Sequence, residues 1–550
     1  MATTEESLSH PSADPTDTEP PTSETFSSPG VLAVDRRTAD RVLPSHDDVV
    51  VAEASTVVGG PIGSHAVIGR SASWTPVRVL FLLALCALAL SWFGKSACLQ
   101  QAPAAPSDSS STTMRLNWDN QRQFTNLCYS DVIALFGAER LDRGAFPYQT
   151  FWFDKTSDGG EQKRYMEYPV ITGMYMYGVA AVARAWGDAH EKHGIPGALD
   201  VVLFFDLAAL GLALFWLVTI WATALTARRR IWAAWIAALS PLVIVHAFTN
   251  FDALAIGLVA LAMLAWARNR PWLAGVLIGL GAATKLYPVL LLAVLFILCL
   301  RAGKLRAFAV TAASAVAAWV VVNLPILVLY PAGWREFFRY NSDRGADSDT
   351  IYRIIGSAGG FTWNVDLLNA VSLGLMVGIV IGVAVLALRA DSRPRVAQIM
   401  FLLVAGFLLV NKVWSPQYSL WLVPLAVLAI PHTRLLFAWM IVDALVWIPR
   451  MGLYLDDDRR WLPDQWFTFV VLLRAAMVIA LCAVVVWQIL RPADDLIRQG
   501  PRGQLLDDPA GGVLDGAPDR FRWARSGQPH EPEVTHHLDD SPAPSHPAAG

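Results

Sequence analysis

Residues 272–301 read WLAGVLIGLGAATKLYPVLLLAVLFILCLR, an apolar run with one cation, Lys285, between its ends. Arg268 and Arg270 precede it, and Lys304 and Arg306 follow it. Lys and Arg beside membrane-spanning segments favour the cytoplasm, so the run starts and finishes on one side of a bilayer. It is predicted as two short helices of about 13 residues, each rising about 20 Å. They turn at Thr284-Lys285-Leu286-Tyr287-Pro288, where Pro288 breaks the helix.

The same pattern extends in both directions. Residues 199–226, 306–329, 364–389 and 466–490 are apolar runs with few ionisable groups. Each is long enough for a hydrocarbon core that takes about 20 apolar residues. Over the 550 residues, 54% are hydrophobic and 16% charged, with 22 Trp, which is too apolar for an ordinary soluble enzyme. The net charge of −3 says little, because the charges lie in loops and tails. The first apolar run, Val77 to Trp92, lies behind a long polar leader and reads as a signal anchor and first span.

Four short basic loops set the topology: Arg228–Arg230, Arg268 with Arg270, Arg301 with Lys304 and Arg306, and Arg389 with Arg393 and Arg395. With these in the cytoplasm, further spans fall at 231–247, 251–268, 395–411, 416–431 and 435–449. Residues 168–186 fit the alternation only as a helix on or in the outer leaflet. The expected fold is an all-α polytopic plasma-membrane protein of about twelve transmembrane helices with a long first extracytoplasmic loop, 96–167. Residues 75–490 form the membrane domain. Residues 1–74 and 491–550 are too polar to offset their ordering entropy and are expected as disordered cytoplasmic tails. His530, His536, His537 and His546 lie in the second tail, where no fixed geometry would hold a metal.

This topology puts most of the reactive side chains on the extracytoplasmic side. Lys285 lies between two apolar helices, where a lone ammonium is costly. It is either a snorkelling interfacial lysine or a cation for a lipid phosphate, and Lys412 repeats the arrangement. Arg344, Asp347, Asp349 and Arg353 form either a solvated salt-bridged loop or an arginine clamp for phosphate beside a carboxylate. Asp131 follows Ser130 at the start of an apolar run and reads as a helix N-terminus or as a catalytic carboxylate. Asp206 and Asp443 fall inside apolar spans and keep a transporter reading open. Cys98 and Cys128 lie outside the spans and can pair in an oxidising compartment. The membrane part has no dinucleotide fingerprint, no P-loop and no HExxH, so no cofactor, metal or nucleic acid is expected.

An ordered set of motifs carries a resemblance. It runs through Tyr129-Ser130-Asp131-Val132, Arg140-Leu141, Gly144-Ala145-Phe146-Pro147-Tyr148, Glu167-Tyr168-Pro169 and Asn250-Phe251-Asp252. It continues through Gly281-Ala282-Ala283-Thr284-Lys285-Leu286-Tyr287-Pro288 and Asn411-Lys412-Val413-Trp414-Ser415-Pro416-Gln417-Tyr418. Over about residues 76–490 the chain resembles the GT-C superfamily of membrane glycosyltransferases. It is most similar to the family 87 branch, the actinobacterial polyprenyl-phosphate-dependent mannosyl- and arabinofuranosyltransferases. The resemblance implies a polyprenyl-phosphate sugar donor, a cell-envelope glycan or glycolipid acceptor, and contact with membrane lipids. It implies Asp131 as general base and Lys285, Arg344 and Lys412 as cations for the departing phosphate. Tyr287, Trp414 and Tyr418 would line the pocket, with Asp252 and Gln417 also contacting substrate. The stretch Gln149–Lys163 and the long leader depart from the pattern. The competing classes are a lipid or glycolipid flippase, which predicts internal repeats, and a non-catalytic scaffold.

Overall fold

The computed structural model describes residues 74–104, 114–155, 159–499 and 505–523. The leader expected at 1–74, apart from Trp74, and the tail histidines fall outside the described residues. Six described helices are long and apolar enough to cross a membrane: Pro76–Leu99, Asp200–Thr226, Leu305–Leu329, Val365–Arg389, Thr433–Gly452 and Asp464–Leu490. Five shorter apolar helices accompany them: Asp252–Ala267, Pro271–Ala282, Tyr287–Ala302, Val396–Val410 and Pro416–Ala429. The chain is thus a multi-pass helical membrane protein, with six full-length spans where the sequence suggested about twelve. The difference lies in the 10–17-residue helices, which are too short to be counted as spans on length and composition. The helix Val170–His193 has 24 residues and is not among the six.

Local signals set the helix ends. Thr75 caps Pro76–Ser96, and Pro76 occupies the first turn, where its missing N–H is not needed. The Asn364 side chain accepts from the backbone of Asp366 and Leu367 to start Val365–Arg389. Gly194 and Gly303 end their helices with φ of 63° and 66°, conformations that favour glycine. In Pro271–Ala282, Gly275 and Gly279 lie one turn apart against Leu305–Leu329. A Cβ at either would collide with the carbonyl of Thr311 or Ala315. Small residues at such contacts let membrane helices approach closely.

Two chain breaks shape the functional end of the bundle. One separates Pro241–His246 from Asp252–Ala267; the other separates Pro271–Ala282 from the Tyr287–Ala302 segment. Breaks leave helix carbonyls without partners, which a membrane protein must satisfy internally. The first loop and the start of the helix Val170–His193 supply the donors. At the first break Ser130 Oγ donates to the Phe248 carbonyl (2.6 Å), and Asp131 N to that of Thr249 (2.8 Å). At the second, Ile171 N donates to Ala283 (2.9 Å) and Thr172 Oγ1 to Thr284 (2.8 Å). The first break is thereby fixed beside the start of the helix Asp131–Ala138, and the second beside the start of the helix Val170–His193.

The first loop also contains two small antiparallel hairpins, Gln101–Pro103 with Met114–Leu116 and Trp152–Lys155 with Glu161–Arg164. The second covers most of Gln149–Lys163 and ends one residue beyond it, at Arg164. Cys98 and Cys128 form a disulfide with a Cα–Cα distance of 5.6 Å. It ties the end of the first span to the segment that leads into Asp131.

The segment after the last span departs from the expected tail. Residues 491–499 and 505–523 bring Asp495, Asp507 and Asp519 onto Arg395, Arg393 and Arg301. Polar composition there reflects ion pairing with basic helix ends rather than an unordered chain.

Candidate active site

Asp131 is the first residue of the helix Asp131–Ala138, and Ser130 caps it by accepting from Val132 N at 3.1 Å. The N-cap reading and the carboxylate reading therefore fall on neighbouring residues. Ser130 does the capping and leaves the Asp131 side chain free to face the cavity residues. A carboxylate in the first turn is also favoured by the helix dipole. Its Oδ2 accepts from Asn250 Nδ2 at 2.8 Å and from Gln417 Nε2 at 3.2 Å, and the Tyr129 hydroxyl bonds to the same carboxylate. Asn250 Nδ2 also donates to the Tyr168 hydroxyl at 3.0 Å. Burial, followed by the Asp131 charge, holds the Tyr168 phenol well above its ordinary value, so it stays protonated.

A second group surrounds the helix break at Lys285. Lys285 Nζ pairs with Asp252 Oδ1 at 2.5 Å, and Trp421 Nε1 donates to the same oxygen at 2.7 Å. Asp252 is 1% exposed, and its Oδ2 has no hydrogen-bond partner. Trp421 stacks between Tyr287 (4.2 Å) and Tyr418 (4.4 Å). The Lys285 ammonium lies 4.7 Å from the Tyr418 ring centre, a cation–π distance. Lys285 thus has one carboxylate and two ring faces near it and retains capacity for a further acceptor. Arg344 belongs to the same region: its charge and that of Lys285 both act on the Tyr418 phenol. It meets Asp347 at 3.6 Å, and its side chain is one-third exposed.

The structure brings Asp131 and Gln417 together, and it gathers Lys285, Asp252, Tyr287 and Tyr418 around Trp421. Lys412 and Trp414 face elsewhere. The Lys412 ammonium donates to the carbonyls of Ser342 (3.1 Å) and Arg344 (2.7 Å) and to Asn369 Oδ1 (2.5 Å). Three donors are engaged, so Lys412 clamps the segment that bears Arg344. Trp414 is buried under the Arg474 guanidinium, 3.9 Å from its ring centre. Asp349 and Asp347 are engaged by Arg450, and Arg474 donates to the Asp349 carbonyl at 2.9 Å. The acid–base cluster at 344–353 therefore anchors its own loop, and of its cations Arg344 is the one whose charge, like that of Lys285, acts on Tyr418. Asp206 accepts from Trp92 Nε1 at 2.9 Å, and Asp443 from Trp439 Nε1 at 3.1 Å.

Beside Tyr168 an apolar groove of about 310 Å³ opens between the helices Pro271–Ala282, Leu305–Leu329 and Pro331–Asp343. Tyr168, Ile278, Leu286, Val289, Val316 and Trp334 are among the residues that line it. Leu286 and Val316 are exposed, so the groove opens sideways on an apolar surface. Its polar end is Tyr168, which shares Asn250 with Asp131.

Sequence reasoning missed the groove, Trp421 and Lys95. The groove depends on which faces of three distant helices meet, which no local pattern reports. Lys95 lies at the end of an apolar run, where a lysine ordinarily marks the bilayer interface. It is instead 2% exposed and donates to the Tyr129 carbonyl at 2.9 Å.

The described helices of this multi-pass bundle thus carry a carboxylate, two cations and an apolar groove. Residues 196–411 match the family model described as glycosyltransferase family 87, which indicates a membrane glycosyltransferase. The matched stretch holds Asn250, Asp252, Lys285, Tyr287 and Arg344; Asp131 and Gln417 lie outside it. No curated protein matches the chain.

Proposed function

We propose that this protein moves a sugar of the mannose or arabinofuranose class from a polyprenyl-phosphate donor to a hydroxyl of a cell-envelope glycan or glycolipid. The transfer takes place at the extracytoplasmic face of the plasma membrane. The observation that carries this reading is the shared Asn250: one side chain bonds both Asp131 and Tyr168, a residue that lines the apolar groove. A lipid chain in the groove would put its phosphate near Tyr168, Tyr418 and Lys285, within the neighbourhood of a base.

Asp131 accepts the proton of the acceptor hydroxyl as that oxygen bonds to the anomeric carbon. The bond from that carbon to the phosphate oxygen breaks, and polyprenyl phosphate leaves with the electron pair. Asn250, Gln417 and Tyr129 hold the carboxylate as an acceptor by donating to it. Lys285 and Arg344 offset the charge that develops on the leaving phosphate, the kind of preorganised field that supplies much of an enzyme's rate. Lys412 contributes through the loop it clamps. A general base contributes roughly 10²–10⁴-fold.

The test is transfer from radiolabelled polyprenyl-phosphate mannose and polyprenyl-phosphate arabinofuranose by membranes that contain the protein. Labelled glycan or glycolipid with the wild type, lost with Asp131→Asn at equal abundance, supports the reading and names the donor. Equal transfer by the variant removes Asp131 from the reaction. Absence of transfer from both donors removes this donor class.

A further inference from the structure

Of the six full-length spans, Leu305–Leu329 and Val365–Arg389 are the least covered by the rest of the protein. Val316, Val321 and Val328 on the first and Leu367, Leu373 and Ile381 on the second are exposed, so both helices present apolar faces to lipid. The first starts and the second finishes at the Arg301 end of the bundle, where Arg301 donates to the Ala387 carbonyl at 2.6 Å. The C-terminal segment crosses the bundle at this level. Arg520 N and Phe521 N donate to the Arg301 carbonyl at 2.8 and 3.0 Å, and Trp523 N donates to the Leu388 carbonyl at 3.1 Å. The segment is thus held against the last turn of a lipid-facing helix. Phe521 and Trp523 are 48% and 51% exposed there. Aromatic rings at the end of a span belong to the membrane–water boundary.

The cations beside these rings are not matched by acids. The Arg389 guanidinium lies 4.9 Å from the Trp523 ring centre. The Arg520 side chain packs against Gly303, next to Lys304 and Arg306. All four cations are exposed, and none has an ion-pair partner among the described residues. The nearby carboxylates are committed elsewhere: Asp519 holds Arg301 and Arg393, and Asp391 pairs with Arg522 at 2.5 Å. We propose that Lys304, Arg306, Arg389 and Arg520, together with Phe521 and Trp523, form a binding surface for anionic lipid headgroups that anchors the C-terminal segment to the bilayer. Basic residues next to a span are drawn to an anionic leaflet, and these lie at the feet of two lipid-facing helices. The occupant is a lipid rather than a free anion because cations and rings alternate along Arg520-Phe521-Arg522-Trp523. A lipid offers phosphate to the first and an acyl boundary to the second.

The experiment uses the full chain purified in detergent and counts bound lipids by native mass spectrometry during titration with phosphatidylglycerol or phosphatidylcholine. The wild type should bind phosphatidylglycerol about tenfold more tightly than phosphatidylcholine. Combining Arg306→Gln, Arg389→Gln and Arg520→Gln should abolish that preference. Arg268→Gln with Arg270→Gln, at another basic helix end, should leave it intact. A wild type without the preference, a triple variant that keeps it, or a control pair that loses it overturns the proposal. Arg520→Gln alone serves if the triple variant does not accumulate, because the Arg520 side chain has no ion pair to lose among the described residues. It should weaken phosphatidylglycerol binding by about fivefold, and an unchanged affinity counts against the surface. Glycerol 3-phosphate, a headgroup without acyl chains, should not displace the lipid at equal concentration. Displacement would make this a site for soluble anions and overturn the assignment to lipid.

Discussion

The helices Leu290–Ala302 and Val396–Val410 each run between two clusters of charge, and the clusters differ in how completely they are satisfied. At the Arg395 end, Nε donates to Asp495 at 2.7 Å, and the other two nitrogens take the carbonyls of Leu428 and Ala429, each at 2.8 Å. Arg301 holds Asp519 and the Ala387 carbonyl. Arg393 holds Asp507, Asp519 and two carbonyls of the C-terminal segment. The guanidiniums of Arg395 and Arg301 cap the last turns of helices whose carbonyls have no partner within the helix. At the Asp131 end, one Asp252 oxygen has no partner, and Lys285 has a single carboxylate. Saturation marks the first cluster as structural. Unused capacity, next to an apolar groove, is the ground on which we propose the second as a place for a ligand.

That contrast can be broken by substitutions at each end. The largest effect is expected from Arg395→Ala, which leaves the buried Asp495 with only the longer pair to Arg498, at 3.6 Å, and uncaps two helix carbonyls. The loss should be about 3–5 kcal/mol of stability, read as a lower thermal midpoint in detergent, with unchanged transfer per folded molecule. Lys285→Met removes a charge-assisted contact to the donor phosphate, worth about 1.5–3 kcal/mol. The donor KM should rise by about 10- to 100-fold, which transfer kinetics over a range of donor concentrations would record. An unchanged KM would return Lys285 to a purely structural pair with Asp252.

Smaller effects sharpen the picture. Val316→Trp narrows the groove at an exposed lining position. It should weaken use of long polyprenyl donors by roughly 1 kcal/mol, about fivefold, and spare a donor with a truncated lipid. Equal losses with both donors would detach the groove from lipid binding. The smallest change is expected from Glu139→Gln. Burial, and then the nearby Glu167, raise the Glu139 carboxyl well above the usual glutamate value. The folded state therefore binds a proton that the unfolded state releases. The associated stability is full below the unfolded pKa and is lost as pH rises through the folded one. Between about pH 5 and about pH 8 the thermal midpoint of the wild type should fall with pH more than that of the variant.

Much of the helical framework is legible in the residues. Apolar length marks the six full-length spans. The turn at Thr284–Pro288 follows from a cation and a proline inside an apolar run. Counting spans is harder, because short apolar helices carry the same local signal as half of a broken span. Of the candidate site, Lys285 is legible as a cation inside an apolar run, whereas Asp131, Asp252 and Tyr418 are legible only through the motifs that carry the resemblance. Lys412 looked equivalent to Lys285 because each is a lone cation beside an apolar helix. Only the packing reveals that one has its three donors engaged by loop carbonyls and Asn369, while the other faces rings and a carboxylate. The C-terminal segment misled for a related reason. Its acidic residues resemble a solvated tail until Arg301, Arg393 and Arg395 are found opposite them.

The most direct test compares Asp131→Asn and Asp495→Asn side by side, as sugar transferred from the polyprenyl-phosphate donor per mole of folded protein. The account predicts a loss of roughly 10²–10⁴-fold for Asp131→Asn and wild-type transfer per mole for Asp495→Asn, which should reduce only the amount of folded protein. Equal transfer per mole by the two variants would contradict it, because the unsaturated cluster would then be no closer to the chemistry than the saturated one.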